Sequence, residues 1–184
     1  MHGLRSELVL TLNVAEDRFP EGTISQECLR FLHETGSSLS LKNEYENGSG
    51  LLPDCRLRYG LWFRSKDLRA EDVTERLRIE PDHVLEKEKL SGGVTDRRNA
   101  WLLRTELLPF EEQSQACKDF CSKFIACERE IIELLRMKET DAELDLSLYT
   151  GRCSFDALVL PRELTELAYR IGTEIYLGFY AVPR

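Results

Sequence analysis

Apolar and polar residues alternate along several short runs of this chain, and between those runs the spacing changes to three and four. Residues 7–13, "ELVLTLN", set Leu8, Leu10 and Leu12 on one side and Glu7, Val9, Thr11 and Asn13 on the other. That period of two predicts a strand with one core face. Pro20 and Gly22 mark a loop. Thr23 is placed to cap a helix reaching about Thr35, with Ile24, Cys28, Phe31 and Leu32 as its apolar stripe and Gly36 as its stop. Residues 37–46 alternate again and predict a second strand. Residues 47–55, "NGSGLLPDC", carry Asn-Gly, Gly and Pro and read as a linker.

Beyond the linker, "LRYGLWFRS" (57–65) predicts a strand with Leu57, Tyr59, Leu61 and Phe63 on one face. A short helix over 70–78 turns Val73 and Leu77 inward, and Pro81 disfavours a helical residue before it. Residues 80–99 show no period, and a loop of that length is uncommon in a compact domain unless it has a function. A strand at 100–107, a long helix at 110–137 and a strand at 142–150 follow. A helix then opens on Pro161 and stops at Gly172, and a last strand covers 173–182. The pattern predicts an α+β fold: a two-layer sandwich of one mostly antiparallel sheet of about seven strands, with helices on one face and the 110–137 helix central.

One register links the two ends. With Glu7 set on Glu143 and no gap, Leu8, Leu10 and Leu12 fall on Leu144, Leu146 and Leu148. Ile24 then falls on Leu160, Phe31 on Leu167, Gly36 on Gly172, and Leu39 and Leu41 on Ile175 and Leu177. This predicts a β-α-β unit that recurs at both ends. Residues 1–46 would be a half-copy packed on a main domain at 56–184, with 47–55 as the link. The outward positions of these strands show no recognisable chemistry at this level.

Composition narrows the function. A formal charge of −8 repels phosphate backbones and anionic membranes, so neither nucleic acid nor a membrane is expected as a partner. No apolar run approaches the roughly 18 residues of a membrane helix. "MHGLRSEL" lacks the segments of a secretory leader, so a cytoplasmic location is expected. Cys28, Cys55, Cys117, Cys121, Cys127 and Cys153 are irregularly spaced, read as buried thiols, and predict neither a metal site nor another cofactor.

Residues 57–182 resemble a bacterial family known as domain of unknown function 4279. The resemblance rests on "RYGLWFRS", on "LRIEP" (Leu77 to Pro81) followed by Trp101 in "AWLLRTE", on "ELDLSLY", and on the closing "ELAYRIG" and "IYLGFY". That family usually shows Lys-Gly in the charged loop. This chain reads "LEKEKLSGG" there, with the glycine absent or displaced to Gly92. The resemblance implies an α+β domain and no particular activity.

Histidine is the usual acid–base group at neutral pH, and of the three here only His83, beside Asp82 in the long loop, suits such a role. No G-x-S-x-G, H-E-x-x-H, Walker-type or dinucleotide motif is present, so catalysis is not the leading expectation. Arg97 and Arg98 near Trp101 form another candidate patch. The leading expectation is a non-catalytic protein-interaction module. Its partner would be another protein, with a basic toxin the best electrostatic match for an immunity-type role, or a second copy in a homodimer. The alternative is a small-ligand site lined by aromatics such as Tyr59, Trp62, Trp101 and Tyr176. The candidate binding residues are Asp82, His83, Arg97, Arg98, Trp101, Tyr59 and Trp62.

Overall fold

A computed structural model of the protein describes residues 7–13, 21–44, 56–87, 98–109, 112–150 and 155–181. In chain order the strands are β1 (Glu7–Asn13), β2 (Glu21–Ile24), β3 (Ser38–Glu44), β4 (Arg56–Ser65), β5 (His83–Leu85), β6 (Asn99–Arg104), β7 (Leu108–Pro109), β8 (Thr140–Thr150), β9 (Phe155–Val159) and β10 (Glu174–Ala181). The helices are α1 (Gln26–Thr35), α2 (Ala70–Leu77), α3 (Gln113–Ile125), α4 (Glu128–Leu135) and α5 (Arg162–Ile171).

The fold is α+β. Among the described residues its main sheet has seven strands, in the order β2-β10-β8-β4-β6-β5 with β7 beside β4. Only the β8–β10 pair is parallel; every other pair in this sheet is antiparallel. Strand alternation sends Leu57, Tyr59, Leu61 and Phe63 of β4 into the same apolar cluster as Leu144, Leu146 and Leu148 of β8 and Ile175, Leu177 and Phe179 of β10. Helices α2, α3, α4 and α5 add Val73, Leu77, Phe120, Phe124, Ile131, Leu134, Leu164 and Leu167 to that cluster. The opposite face carries Arg58, Gly60, Trp62, Asp145, Ser147 and Tyr176.

A separate three-stranded sheet, β1-β3-β9, stands beside the main one. The sequence pattern predicts a single sheet. The two sheets share strands from both ends of the chain: β2 joins the main sheet against β10, and β9 joins the small sheet against β3. Helix α1 crosses between the parallel strands β1 and β3, and α5 crosses between β8 and β10. The two helices pack together, with the His33 and Tyr169 rings stacked at 4.3 Å and 22°.

Several boundaries differ from the pattern. Ser25, not Thr23, caps α1: its hydroxyl accepts from the Cys28 amide at 3.4 Å, while residues 21–24 are extended in β2. Both Gly36 (φ 64°) and Gly172 (φ 74°) end their helices in the left-handed region, as predicted. The expected 110–137 helix divides at Ala126 and Cys127 into α3 and α4. There the Cys127 thiol donates to the Phe124 and Lys123 carbonyls, competing with helix-forming amides. The loop expected over 80–99 contains β5, paired with β6, and its residues 88–97 lie outside the described set.

Two expected core positions also move. Phe31 is 50% exposed, and α1 buries Leu29 and Leu32 instead. Leu8 and Val9 are both exposed, because β1 has a neighbour on one side only among the described strands. The side chains of Leu10 and Leu12 lie outside the described set.

Candidate functional site

The residues singled out in the sequence separate onto the two faces of the main sheet. Tyr59 and Trp101 lie on the core face, each 1% exposed. Trp101 donates from Nε1 to Thr74 Oγ1 at 3.1 Å and meets Phe63 edge-on at 5.7 Å. The Tyr59 hydroxyl lies 3.5 Å from Gln113 Oε1, and burial pushes its pKa well above the ordinary tyrosine value. Trp62 and Tyr176 sit on the opposite face, so the four aromatics do not line one pocket. Asp82 is exposed and accepts from the Arg104 amide. Arg98 pairs with Asp141. Arg97 lies outside the described residues.

Register gathers a different set on the outer face. One cross-strand row runs His83, Leu102, Trp62, Glu143, Glu174. The next runs Arg104, Gly60, Asp145, Tyr176, Thr23, and the third runs Arg58, Ser147, Gly178, Glu21. A fourth places Arg56 beside Tyr149 and Tyr149 beside Tyr180. Residues opposite one another in a ladder project to the same face, so each row is a line of neighbouring side chains. Of the residues that the sequence pattern singles out, His83, Trp62 and Tyr176 fall on this face. Among the described residues, the helices pack on the other face.

Asp145 is the centre of this surface. It is 9% exposed, and its Oδ2 accepts from Ser147 Oγ at 2.8 Å. Among the described residues its buried Oδ1 has no hydrogen-bond partner, and neither has the buried Nε of Arg58 on the adjacent strand. Burial pushes the Asp145 carboxyl up to about 6. Ser147 opposes that shift, Glu143 adds to it, and Arg58 and Arg104 pull it down. An unmet acceptor and an unmet donor on adjacent strands are uncommon in a folded protein.

Aromatic rings frame the pair. Tyr149 and Tyr180 stack at 5.1 Å and 26°, and the Arg58 guanidinium lies over the Tyr149 ring at 5.5 Å. Tyr180 folds back across its own strand: a Cβ on Gly178 would sit 2.7 Å from the Tyr180 hydroxyl, so position 178 must be glycine for this pose. The Tyr176 hydroxyl is raised above its ordinary range by burial first and then by the hydrogen-bonded Glu21. At the other end of the face, Arg64 bonds Glu143 at 3.2 Å and lies over the Trp62 ring at 5.4 Å.

Sequence reasoning missed Asp145, Arg58, Tyr149 and Tyr180. Alternation does show that Asp145, Ser147 and Tyr149 point away from Leu144, Leu146 and Leu148. What brings Arg58 to them is register between distant strands. The other hollows carry less chemistry. A groove between α2 and α4 mixes Asp72, Glu75 and Glu130 with Arg76 and Arg78. Among the described residues, no three His, Cys, Asp or Glu side chains are grouped to hold a metal. No described helix is long and apolar enough to cross a membrane.

The family model described as Domain of unknown function (DUF4279) matches residues 56–181, which contain β4 to β10 and every outer-face residue above except Glu21 and Thr23. No curated protein and no solved structure matches the chain.

Proposed function

The chain belongs to the DUF4279 family, and on that premise we propose that it is a non-catalytic protein-interaction module whose binding surface is the outer face of β4, β8 and β10. One observation carries the reading: Trp62, Tyr149, Tyr176 and Tyr180 share that face with Arg58, Arg64 and Arg104. Tryptophan, tyrosine and arginine are the residue types that dominate binding energy at protein interfaces. Asp145 Oδ1 and Arg58 Nε add unmet hydrogen-bonding capacity beneath them, which a partner's polar group satisfies once the tyrosines move aside. The net charge of −8 steers a basic partner, and a toxin-neutralising role is the form of this reading in which that partner is a basic nuclease.

The test compares the full chain with a Trp62→Ala/Tyr180→Ala variant as bait in a lysate of the source organism. A protein captured saturably by the first and at least about tenfold more weakly by the second, with both baits melting alike, supports the reading. Equal capture by both removes it. A second reading follows from Asp145 and Arg58 alone. A small molecule offering a donor and an acceptor together, such as a carboxamide, would fit that pair. It predicts a thermal shift with the small molecule that Asp145→Asn abolishes and Trp62→Ala leaves intact.

We read the architecture as one and a half copies of a β-α-β unit. The register that sets Glu7 on Glu143 also sets α1 on α5 residue for residue. It carries the β1–β3 partners Glu7 and Ser38 onto the β8–β10 partners Glu143 and Glu174. The capping bond from the Ser37 amide to the Leu32 carbonyl falls on that from Thr173 to Ala168, at 3.1 and 3.0 Å. Strands β4 to β8 and β10 of the main sheet, with helices α2 to α5, then form the two layers of the complete copy. A cytoplasmic setting fits the free thiols at Cys28, Cys117, Cys121 and Cys127.

A further inference from the structure

The contacts between the two units follow a reciprocal rule. Strand β2 pairs with β10 through Thr23↔Tyr176 and Gly22↔Leu177. Strand β9 pairs with β3 through Val159↔Ser40 and Leu158↔Leu41. Under the register that sets Glu7 on Glu143, Thr23 corresponds to Val159 and Tyr176 to Ser40, so each of these pairs is the other with the units exchanged. Gly22 corresponds to Leu158 and Leu177 to Leu41, with the same result. The stacked rings of His33 and Tyr169 occupy one and the same position in the two units. A contact between equivalent positions, flanked by reciprocal strand pairings, is the signature of an isologous two-fold interface.

We propose that the surface formed by α5, β9 and β10 is self-complementary, and that residues 7–44 fill it in place of a second copy of residues 143–180. This rests on the correspondence of the two segments and is independent of the outer face. The partner that surface fits is therefore another β-α-β unit of this same sequence. In the intact chain the tethered unit holds the site, because a linked segment is present at high effective concentration. A second chain enters only by exchanging its own N-terminal unit.

The correspondence also shows where the equivalence ends. Leu167 is fully buried, where α5 meets α3 and α4; its counterpart Phe31 is 50% exposed. The N-terminal unit has no counterpart of α3 and α4 among the described residues, so this face of α1 has nothing to pack on. The shared surface is thus limited to the α1–α5 contact and the exchanged strands.

Two measurements on the full-length chain decide the matter. His33→Tyr recreates the Tyr-on-Tyr contact that a second copy would make. It is expected to melt within about 2 °C of the wild type or above it, whereas His33→Ala loses the stack and melts lower. If His33→Tyr melts as low as His33→Ala, the proposal fails. The second measurement replaces residues 7–44 by residues 143–180 within the full chain. The expected product is a monomer with a single unfolding transition. Aggregation, or removal of the N-terminal segment by limited proteolysis while the rest resists, overturns the proposal. The His33 substitutions lie away from the outer face, so failed partner capture and failed self-complementarity are separate results.

Discussion

Asp145 holds a proton more tightly in the fold than an ordinary aspartate does, and this has a definite sign. Its folded pKa of about 6 lies above the ordinary carboxylate value because burial disfavours the charged form. The protonated side chain is favoured by folding, so its contribution is fully present below about pH 4. That contribution is lost as the pH rises through about 6. Asp145→Asn keeps a neutral side chain of the same shape at every pH. We expect the variant to be more stable than the wild type at pH 7.5, by on the order of 2 kcal/mol, and to match it near pH 4. Denaturant midpoints at the two pH values check this; a variant less stable at pH 7.5 would show that the carboxylate is held by more than Ser147. The same residue shows what a sequence hides. Alternation places Tyr59 inward with Leu57 and Leu61, and Trp62 outward, yet aromatic identity groups them as one site. Asp145 escapes notice because a lone Asp between leucines looks like any solvated strand position. Its environment comes from Arg58, Gly60, Tyr176 and Gly178 on strands whose alignment with β8 no local pattern reveals.

Between elements, α1 and α5 separate by what they pack against. Leu167 on α5 touches a full core, so Leu167→Ala is expected to cost about 2–5 kcal/mol. Phe31→Ser at the corresponding place on α1 is expected to change stability by no more than about 0.5 kcal/mol, because Phe31 is half in water already. Chemical denaturation of the two variants reads the contrast, and comparable losses would mean that Phe31 packs on something in the folded protein. Helix ends were legible, since Gly36 and Gly172 supply the left-handed turn where the apolar rhythm stops. Strands β2 and β9 were not. Each is short, and each is held by a partner at the other end of the chain, so its own residues carry little period. The break between α3 and α4 was also hidden: Cys117, Phe120, Phe124, Cys127, Ile131 and Leu134 keep a helical spacing straight through it. The break shows only in the backbone, where the Cys127 amide bonds the Phe124 carbonyl three residues back.

Across the whole molecule, α+β class, strand alternation and the dominance of antiparallel pairing followed from the sequence because they depend on local rhythm. The second sheet did not, because it arises from exchange between distant segments. That exchange predicts one cooperative thermal transition for the intact chain, since neither sheet keeps all its strands if the other melts. Calorimetry that resolved two transitions would show the two sheets to be separable. The pairing of β2 with β10 has a further consequence during synthesis. Residues 21–24 leave the ribosome well before residues 174–181 exist, so the edge they complete is absent when they first appear. Until the last strand emerges, the N-terminal unit has no β10 to pair with and no α5 to bury Leu29 and Leu32. Its apolar face lacks that cover throughout the interval. The protein's most vulnerable moment is therefore set by the distance along the chain between β2 and β10.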